Sequence, residues 1–318
     1  MVEYEVSQLR EADLDDVADI IRRSKQELTF ERAPTVEELK AYTFKNEEFR
    51  PEGSWLVRSD GAPVAYATVL IEANRLKAGL DDGYMEFEIV PEERGKGLEQ
   101  RLTALACEYI RSRGVGKVKT RSASTESWRV EALLSEGFSE AYRVFFLVRR
   151  AAAGPVPEIP VPEGVRLVRR PYKECGDEEM TRIVGAFNDS FQDHFSFAPE
   201  RPETFIRYRD ASEDPECFSL AMVNDEVAGL CLSSEDRTYN EENGTKWGWV
   251  NILGVRRPYR RGGVGRFLLA DGMNWVREQG MDTTYIGVYA KNETALDMYT
   301  SVGFVKDRES MWLEKSLR

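Results

Sequence analysis

Two separated motifs recur in this 318-residue chain at one spacing. A glycine turn at Gly97 returns at Gly263, and the pair Gly137-Phe138 returns as Gly303-Phe304. Both repeats lie 166 positions apart (263 − 97 and 303 − 137). One spacing shared by two distant motifs indicates an internal duplication, in which each copy is a complete domain rather than a short repeat unit.

The duplication predicts a first domain at residues 1–150 and a second domain at 165–318. Residues 151–164, which hold four prolines among small residues, are predicted to form an extended and rather stiff linker. Periodicity predicts a common order of elements in the two copies. In the first copy these are a strand at 4–10, helices at 13–26 and 35–42, a hairpin at 55–57 and 64–71, and a strand at 84–90; in the second they are a strand at 165–169, helices at 178–191 and 202–208, a hairpin within 219–233, and a strand at 247–255. Strands that both precede and follow helices predict an α/β fold with a mixed sheet of the α+β kind in each copy.

The glycine turn of the second copy has the features of a phosphate site. An apolar run at 250–255 ends there, glycines follow at 262, 263 and 265, and an amphipathic helix begins. Unpaired N–H groups and the helix dipole favour an anion at such a turn, and Gly263 and Gly265 would let a pyrophosphate approach without meeting a Cβ. Five arginines within 255–266 form a basic island on a chain of net charge −12, which indicates a local anionic partner.

Three kinds of phosphate site share this strand, turn and helix. A P-loop is excluded because no lysine follows the glycines. A dinucleotide fingerprint has an acidic residue about twenty positions on, as Asp282 would be, but the arginine-rich lead-in does not belong to it. The remaining pattern, Arg-x-x-Gly-x-Gly at Arg260, Gly263 and Gly265, resembles the pyrophosphate loop of the GNAT (Gcn5-related) N-acetyltransferases, which hold acetyl-CoA. A glycine turn that caps an ordinary helix would show the same short pattern.

A second motif extends this resemblance. Asn292 is a good N-cap, Ala295 and Tyr299 fall on one helical face, and Gly303 is a natural helix stop. The order Asn, Ala, Tyr, Gly-Phe matches the segment downstream of the pyrophosphate loop in the GNAT family. The chain therefore resembles a tandem GNAT protein, and more distantly the two-domain acetyltransferases of the mycothiol synthase type.

The resemblance implies an active site in the second copy. In the family the amine attacks the thioester directly, and the strand before the loop splays from its neighbour to admit CoA. The residues implied for acetyl-CoA are Leu253 and Val255 at the pantetheine arm and carbonyl, Arg260, Arg261, Gly262, Gly263, Val264 and Gly265 at the pyrophosphate, and Asn292. Tyr299 would protonate the departing thiolate, whereas the alternative is a core tyrosine on an apolar stripe.

No motif identifies the base that deprotonates the amine. Proteins of the mycothiol synthase type have a Glu on the strand before the loop, where this chain has Trp249. His194, the only histidine, comes after the first helix of the copy, where GNAT proteins line the acceptor pocket, so it is a candidate base or acceptor ligand. A lone histidine is also commonly structural. Secondary candidates are Asp193, Glu235 and Asp236.

The first copy differs at the positions that would carry this chemistry. Gly265 corresponds to Glu99, Asn292 to Glu126 and Tyr299 to Leu133. A carboxylate beside the phosphates of CoA would oppose binding by about a few kcal/mol, unless Glu99 turns outward on the helix surface. The first copy is therefore predicted to be non-catalytic.

Composition narrows the remaining function classes. The four cysteines lack Cys-x-x-Cys spacing, so neither a zinc site nor a histidine-centred triad is supported, and no metal is expected. A pI near 5.0 argues against broad nucleic-acid binding and suits a cationic amine. No apolar run approaches membrane-spanning length, and Met1 to Arg10 carries charges, so a cytoplasmic protein is expected. Within these bounds, the resemblance to the GNAT family implies an acetyl-CoA-dependent N-acetyltransferase for a small-molecule or peptide amine. The alternative is a non-catalytic CoA-sensing or partner-binding protein, and the oligomeric state is not specified.

Overall fold

The computed structural model describes residues 3–28, 30 and 33–318. The chain forms two compact units. Unit 1 consists of the residues up to Arg143 together with Ser310–Arg318, and unit 2 consists of Val144–Glu309.

Unit 1 begins with a strand and an amphipathic helix that buries Leu14, Val17, Ile20 and Ile21 on one face. Its elements are β1 (Tyr4–Gln8), α1 (Leu14–Ser24), α2 (Val36–Tyr42), β2 (Ser54–Ser59), β3 (Ala62–Leu70), α3 (Ala73–Lys77), β4 (Gly83–Ile89), α4 (Leu98–Ser112), β5 (Lys117–Ala123) and α5 (Ser127–Ser135). The twelve-residue strand β6 (Ser139–Arg150) then leads into unit 2.

Unit 2 repeats this order. Its elements are β7 (Arg166–Pro171), α6 (Asp177–Phe191), α7 (Pro202–Ala211), β8 (Glu216–Val223), β9 (Glu226–Glu235), α8 (Arg237–Asn243), β10 (Trp247–Val255), α9 (Val264–Glu278), β11 (Thr283–Tyr289) and α10 (Glu293–Ser301). The final strand, β12 (Val305–Ser316), begins in unit 2 and ends in unit 1.

The sheets of the two units have the same topology. In unit 1, β1 to β4 form an antiparallel series and β4 pairs in parallel with β5. In unit 2, β7 to β10 form the matching series and β10 pairs in parallel with β11. Both sheets are mixed, which agrees with the fold class predicted from the sequence.

In each unit, one strand comes from the other copy of the duplicated sequence. Residues Ser310–Ser316 of β12 pair antiparallel with β5, and residues Val144–Arg150 of β6 pair antiparallel with β11. The compact units therefore differ from the linear ranges 1–150 and 165–318, because each long strand gives one end to each unit.

Two hydrophobic clusters lie on opposite faces of the unit 2 sheet. One joins α9 and α10 to Val250, Ile286 and Val288, and we call this side the α9 face. The other joins α6 and α7 to Phe218 and Leu230, and we call this side the α6 face. Side chains alternate between the faces along each strand, so these clusters set the direction of every residue of β10 and β11.

Residues of the predicted linker and the residue that follows it pack against unit 2. Ala151–Ala153 forms one short helical turn, and Val156, Ile159 and Val165 pack against the α9-face cluster. Across residues 3–28, 30 and 33–318, no helix is long and apolar enough to cross a membrane.

Candidate active site

A gap opens between β10 and β11 on the loop side of the sheet. The two strands pair only from Trp247 with Thr283 to Val250 with Ile286, although each strand continues. A bulge at Asn251 comes immediately after, and bulges bend a strand and increase its twist. Leu253 and Val255, the predicted pantetheine contacts, lie in the part of β10 that has left β11.

The turn after β10 holds two left-handed residues. Arg261 has φ 68° and Gly263 has φ 83°, and the equivalent residues of the first copy, Gly95 and Gly97, have φ 72° and 92°. A non-glycine residue in this region costs on the order of 1 kcal/mol or more, so the surrounding turn must hold Arg261 in place. Left-handed residues next to a helix start leave successive N–H groups on one side, which is an anion-binding arrangement.

Gly265 leaves room for a ligand at the first turn of α9. A Cβ added there would lie 3.5 Å from Val255 Cγ2 and 3.7 Å from Met298 Sδ, which are ordinary contacts. Packing within the chain therefore does not require glycine at this position. Gly262 is similarly uncrowded, and Val264 is buried as the first residue of α9.

Arg260 braces the turn. Its Nε donates to the Val255 carbonyl at 2.9 Å and its Nη2 to the Ser190 carbonyl at 2.9 Å. Arg94, at the equivalent position of the first copy, donates to the carbonyls of Ile89 (3.2 Å) and Ser24 (2.7 Å). The first residue of the Arg-x-x-Gly-x-Gly motif thus makes the same two contacts in both units.

Acidic side chains neutralise most of the basic island. Asp193 pairs with Arg257 and with Arg260, and their guanidinium groups hold the pKa of its carboxyl well below the usual range. Arg256 pairs with Asp189 (3.0 Å) and Glu226 (3.1 Å). Arg261 has no hydrogen bond or ion pair within the described chain, so its guanidinium is the one most available to a phosphate.

Tyr299 lies on the α9 face with only 6% of its surface exposed. Burial raises the pKa of Tyr299 above its ordinary value, and nearby Cys231 adds to the rise, so the phenol is un-ionised at neutral pH. Its hydroxyl makes no hydrogen bond to the described residues and is not among their buried polar atoms that lack a partner. The hydroxyl therefore has no acceptor among the described residues and is free to donate a proton to a ligand.

His194 and Asp193 lie in the segment after α6, and this segment is tied to the turn through Asp193. The imidazole packs edge-to-face against Phe191 at 5.0 Å. Partial burial and the charge of Arg260 lower the pKa of His194, while Asp193 opposes them. A neutral imidazole is the form that can accept a proton, so the electrostatics suit a base.

The other predicted base candidates are held by other groups or lie away from the turn. Asp193 is held as a carboxylate by two arginines and is a poor proton acceptor. Asp236 caps α8 by accepting from the Tyr239 N–H at 3.1 Å. Glu235 pairs with Gly248, at the end of β10 remote from the turn. Asn292, predicted as a CoA contact, caps α10 by accepting from the Ala295 N–H at 3.2 Å.

In unit 1 a side chain occupies the equivalent turn. Glu99 is 4% exposed, and its Oε1 accepts from the Gly95 N–H at 2.7 Å. The Glu99 side chain therefore does not turn outward to the helix surface, which would have been the way to avoid a clash with a phosphate. Its Oε2 is buried without a partner among the described residues. A carboxylate thus takes an N–H group that an anion would otherwise bind.

An arginine also bridges the equivalent gap in unit 1, where β4 and β5 pair only at Gly83 and Tyr84. Arg129 Nη1 donates to the Phe87 carbonyl at 2.8 Å and pairs with Glu88 at 3.2 Å. Its Nη2 reaches Thr120 Oγ1 on β5 at 3.5 Å.

The equivalent positions of unit 2 hold small residues. At the offset of 166, Arg129 corresponds to Ala295, and Glu88 corresponds to Gly254. A Cβ on Gly254 would lie 2.8 Å from both Ser190 and Phe191, so glycine is required where α6 crosses β10. Neither residue can fill the gap as the Arg129–Glu88 pair does.

Sequence reasoning missed the Arg129–Glu88 pair that fills the gap of unit 1, which we call the Arg129–Glu88 plug. It also missed the hydrogen bonds by which Arg260 holds the turn of unit 2. The signal was available, because Arg94 and Arg260, like Ser24 and Ser190, stand 166 positions apart (260 − 94 and 190 − 24). Extending the duplication beyond the glycine motifs would have paired them.

The chain resembles known acetyltransferases. A model of the acetyltransferase (GNAT) family matches residues 14–130 and 181–304, which together exceed half of the chain. A Salinispora tropica protein named mycothiol acetyltransferase is 28% identical, over 79% of this chain and 81% of that protein. A Nocardia farcinica protein of the same name is 26% identical, over 91% of this chain and 95% of that protein.

Solved structures share the architecture. A tandem GNAT protein from the clavulanic acid biosynthesis pathway has a TM-score of 0.76 at 14% identity, over 99% of both chains. A GCN5-related N-acetyltransferase from Sphaerobacter thermophilus has a TM-score of 0.67 at 20% identity, over 99% of this chain and 96% of that one. At such identities the match concerns the fold, and it confirms the predicted tandem arrangement.

Proposed function

This chain belongs to the GNAT family of acetyltransferases, and from that premise we propose that it transfers an acetyl group from acetyl-CoA to an amine at one active site, in unit 2. The family uses acetyl-CoA as co-substrate, and the chain is an acyltransferase by the same evidence. The observation that carries the proposal is the contrast between the two gaps. Arg129 and Glu88 fill the gap of unit 1, whereas Ala295 and Gly254 leave the gap of unit 2 open.

The proposed phosphate contacts come from the turn. Its backbone N–H groups, from Arg261 to Gly265, would bind the pyrophosphate at the start of α9, and the Arg261 guanidinium would add charge. Leu253 and Val255 would offer backbone groups to the pantetheine arm. Arg260 would act mainly by holding the turn against α6.

The proposed chemistry needs two proton transfers. The amine attacks the thioester carbonyl, the carbon–sulfur bond breaks, and the Tyr299 hydroxyl protonates the departing thiolate. His194, directly or through water, would take the proton that the amine loses. Trp249 stands where proteins of the mycothiol synthase type carry Glu, which favours an acceptor other than that of the relatives named mycothiol acetyltransferase.

Calorimetry with acetyl-CoA tests the single site. We expect one site per chain, and we expect Gly265→Glu to abolish it, because the new carboxylate occupies the position of Glu99 and can accept from the Arg261 N–H. Gly265→Ala is the matched control: its Cβ makes only ordinary contacts with the chain and adds no carboxylate, so it should weaken acetyl-CoA binding much less than Gly265→Glu does. Two equal sites, or binding that survives Gly265→Glu, would contradict the proposal. Release of free thiol with an amine panel then tests transfer.

A further inference from the structure

Three alternating residues of β11 lie on the α6 face beside the gap. Ile286 and Val288 belong to the α9-face cluster, so Tyr285, Gly287 and Tyr289 point to the other side. Pairing with β10 ends at Ile286, so Gly287 borders the gap directly, and it is exposed. Tyr299 is on the α9 face, which leaves the α6 face for an incoming amine.

Aromatic rings surround Gly287. Trp249 stacks on Tyr285 with centroids 5.0 Å apart, and Phe146 meets Trp249 edge-on at 6.1 Å. On the other side of Gly287, Phe195 stacks on Tyr289 at 6.1 Å, although Phe195 is 54% exposed. We call this feature the aromatic trough; it consists of Gly287 as the floor and Phe146, Trp249, Tyr285, Phe195 and Tyr289 as the walls.

Arg308 closes one end of the aromatic trough. Its guanidinium lies 4.5 Å from the Tyr285 ring centroid and 5.7 Å from that of Trp249. It pairs with Asp307 at 2.7 Å, and its side chain is 10% exposed. A cation already occupies these ring faces, so a second positive group on an acceptor would be repelled at this end.

We propose that the aromatic trough binds the acceptor of the proposed acetyl transfer, and that this acceptor is a primary amine joined by a short chain to a planar, apolar ring. From Tyr285 to Tyr289 the strand spans about 13 Å, which is enough for one ring and a short chain. The ring stacks on the aromatic walls, and the amine reaches the gap beside Gly287. This inference rests on the proposed function.

The polar side chains described at the aromatic trough are those of Tyr285, Tyr289, Asn251 and Arg308, whose Nε is buried without a partner among the described residues. Asn251 donates to Ser234 Oγ at 2.7 Å, and Arg308 is paired with Asp307. A sugar has more hydroxyl groups than these few side chains can bond, so it would lose more on leaving water than an apolar ring would.

The first copy differs from the aromatic trough at the floor and at one wall. At the offset of 166, Gly287 corresponds to Arg121 and Tyr289 to Ala123. Strand pairing matches Trp249 with Tyr84, because Trp249 pairs with Tyr285 and Tyr84 pairs with Lys119, the equivalent of Tyr285. Tyr84 meets Trp312 edge-on at 5.5 Å. Among the described residues, the glycine floor and the aromatic side chain at position 289 thus lie beside the open gap, and the equivalent positions of unit 1 hold Arg121 and Ala123.

The test is Gly287→Val, which raises the floor of the aromatic trough. A Cβ at 287 would lie 3.7 Å from Phe146 and 3.8 Å from Val144, and a β-branched residue suits a strand, so the variant should fold. For Gly287→Val we expect unchanged acetyl-CoA affinity by calorimetry and a kcat/KM for 2-phenylethylamine at least about tenfold lower than that of the wild type. The kcat/KM of Gly287→Ala should lie between those of the wild type and Gly287→Val. Gly185→Ala is the control, because a Cβ there meets nothing within 4 Å, and it should change neither quantity.

Substrate preference gives the second readout. The wild type should use 2-phenylethylamine at least about tenfold better, in kcat/KM, than butylamine, glucosamine or spermidine. Preference for glucosamine or spermidine, or an unchanged kcat/KM in Gly287→Val, would overturn the inference and leave the proposed function standing. If acetyl-CoA binds but no amine is acetylated, the proposed function fails. Saturation-transfer NMR with 2-phenylethylamine then tests whether the aromatic trough binds the amine. Binding to the wild type that is lost in Gly287→Val would support the inference, and no binding to the wild type would overturn it.

Discussion

Replacing Tyr299 by Phe separates catalysis from packing. The change removes one hydroxyl that bonds to no described residue, so the free energy of unfolding should change by less than about 1 kcal/mol. If the hydroxyl protonates the thiolate only as the carbon–sulfur bond breaks, kcat should fall about a hundredfold to ten-thousandfold, or roughly 3 to 5 kcal/mol of barrier. Acetyl-CoA affinity should stay nearly constant. Steady-state kinetics, calorimetry and thermal unfolding of the purified variant measure the three quantities.

Tyr172→Phe is the matched control within the same unit. Tyr172 is also buried, but its hydroxyl donates to the Phe205 carbonyl at 2.8 Å. Its loss should lower the free energy of unfolding by about 1 kcal/mol and leave turnover per folded molecule intact. An unchanged kcat in Tyr299→Phe, or equal effects of both variants on kcat, would refute a general-acid role.

Two further predictions concern the segment after α6. Because burial and Arg260 lower the pKa of His194, kcat/KM should fall as the pH drops through a midpoint below about 6.5, and His194→Gln should remove that inflection; an identical profile in the variant would exclude His194 as the base. Asp193→Asn frees Arg257 and Arg260 from their carboxylate, so acetyl-CoA affinity measured from low to high salt should fall more steeply than in the wild type, and equal slopes would show that these arginines do not attract CoA.

Local patterns predicted the elements around the site well. The strand at 247–255 has the bounds of β10, and Asn292 caps α10 as its sequence position indicates. A polar helix such as α8 was missed because it lacks apolar periodicity, although Tyr239 and Asn240 are buried within it. Periodicity detects an element only where one face is consistently apolar.

The charge state of the turn was harder to predict. The sequence shows five arginines close together, but their partners Asp189, Asp193 and Glu226 lie far from them along the chain, on other elements. Only the fold brings them together, so the basic island is weaker than a local count suggests. The Arg129–Glu88 plug was missed for the same reason.

The exchange of strand ends has a consequence for the order in which the protein becomes complete during synthesis. The paired segments of β6 to β11 in unit 2 lie between Val144 and Tyr289, so a contiguous stretch of chain can form their pairing. The sheet of unit 1 is complete only when Ser310–Ser316 have been synthesised. Until then, the edge of β5 has unpaired backbone groups. The half that is made first is therefore finished last, after a loop closure over most of the polypeptide, which is the kind of non-local pairing that slows folding.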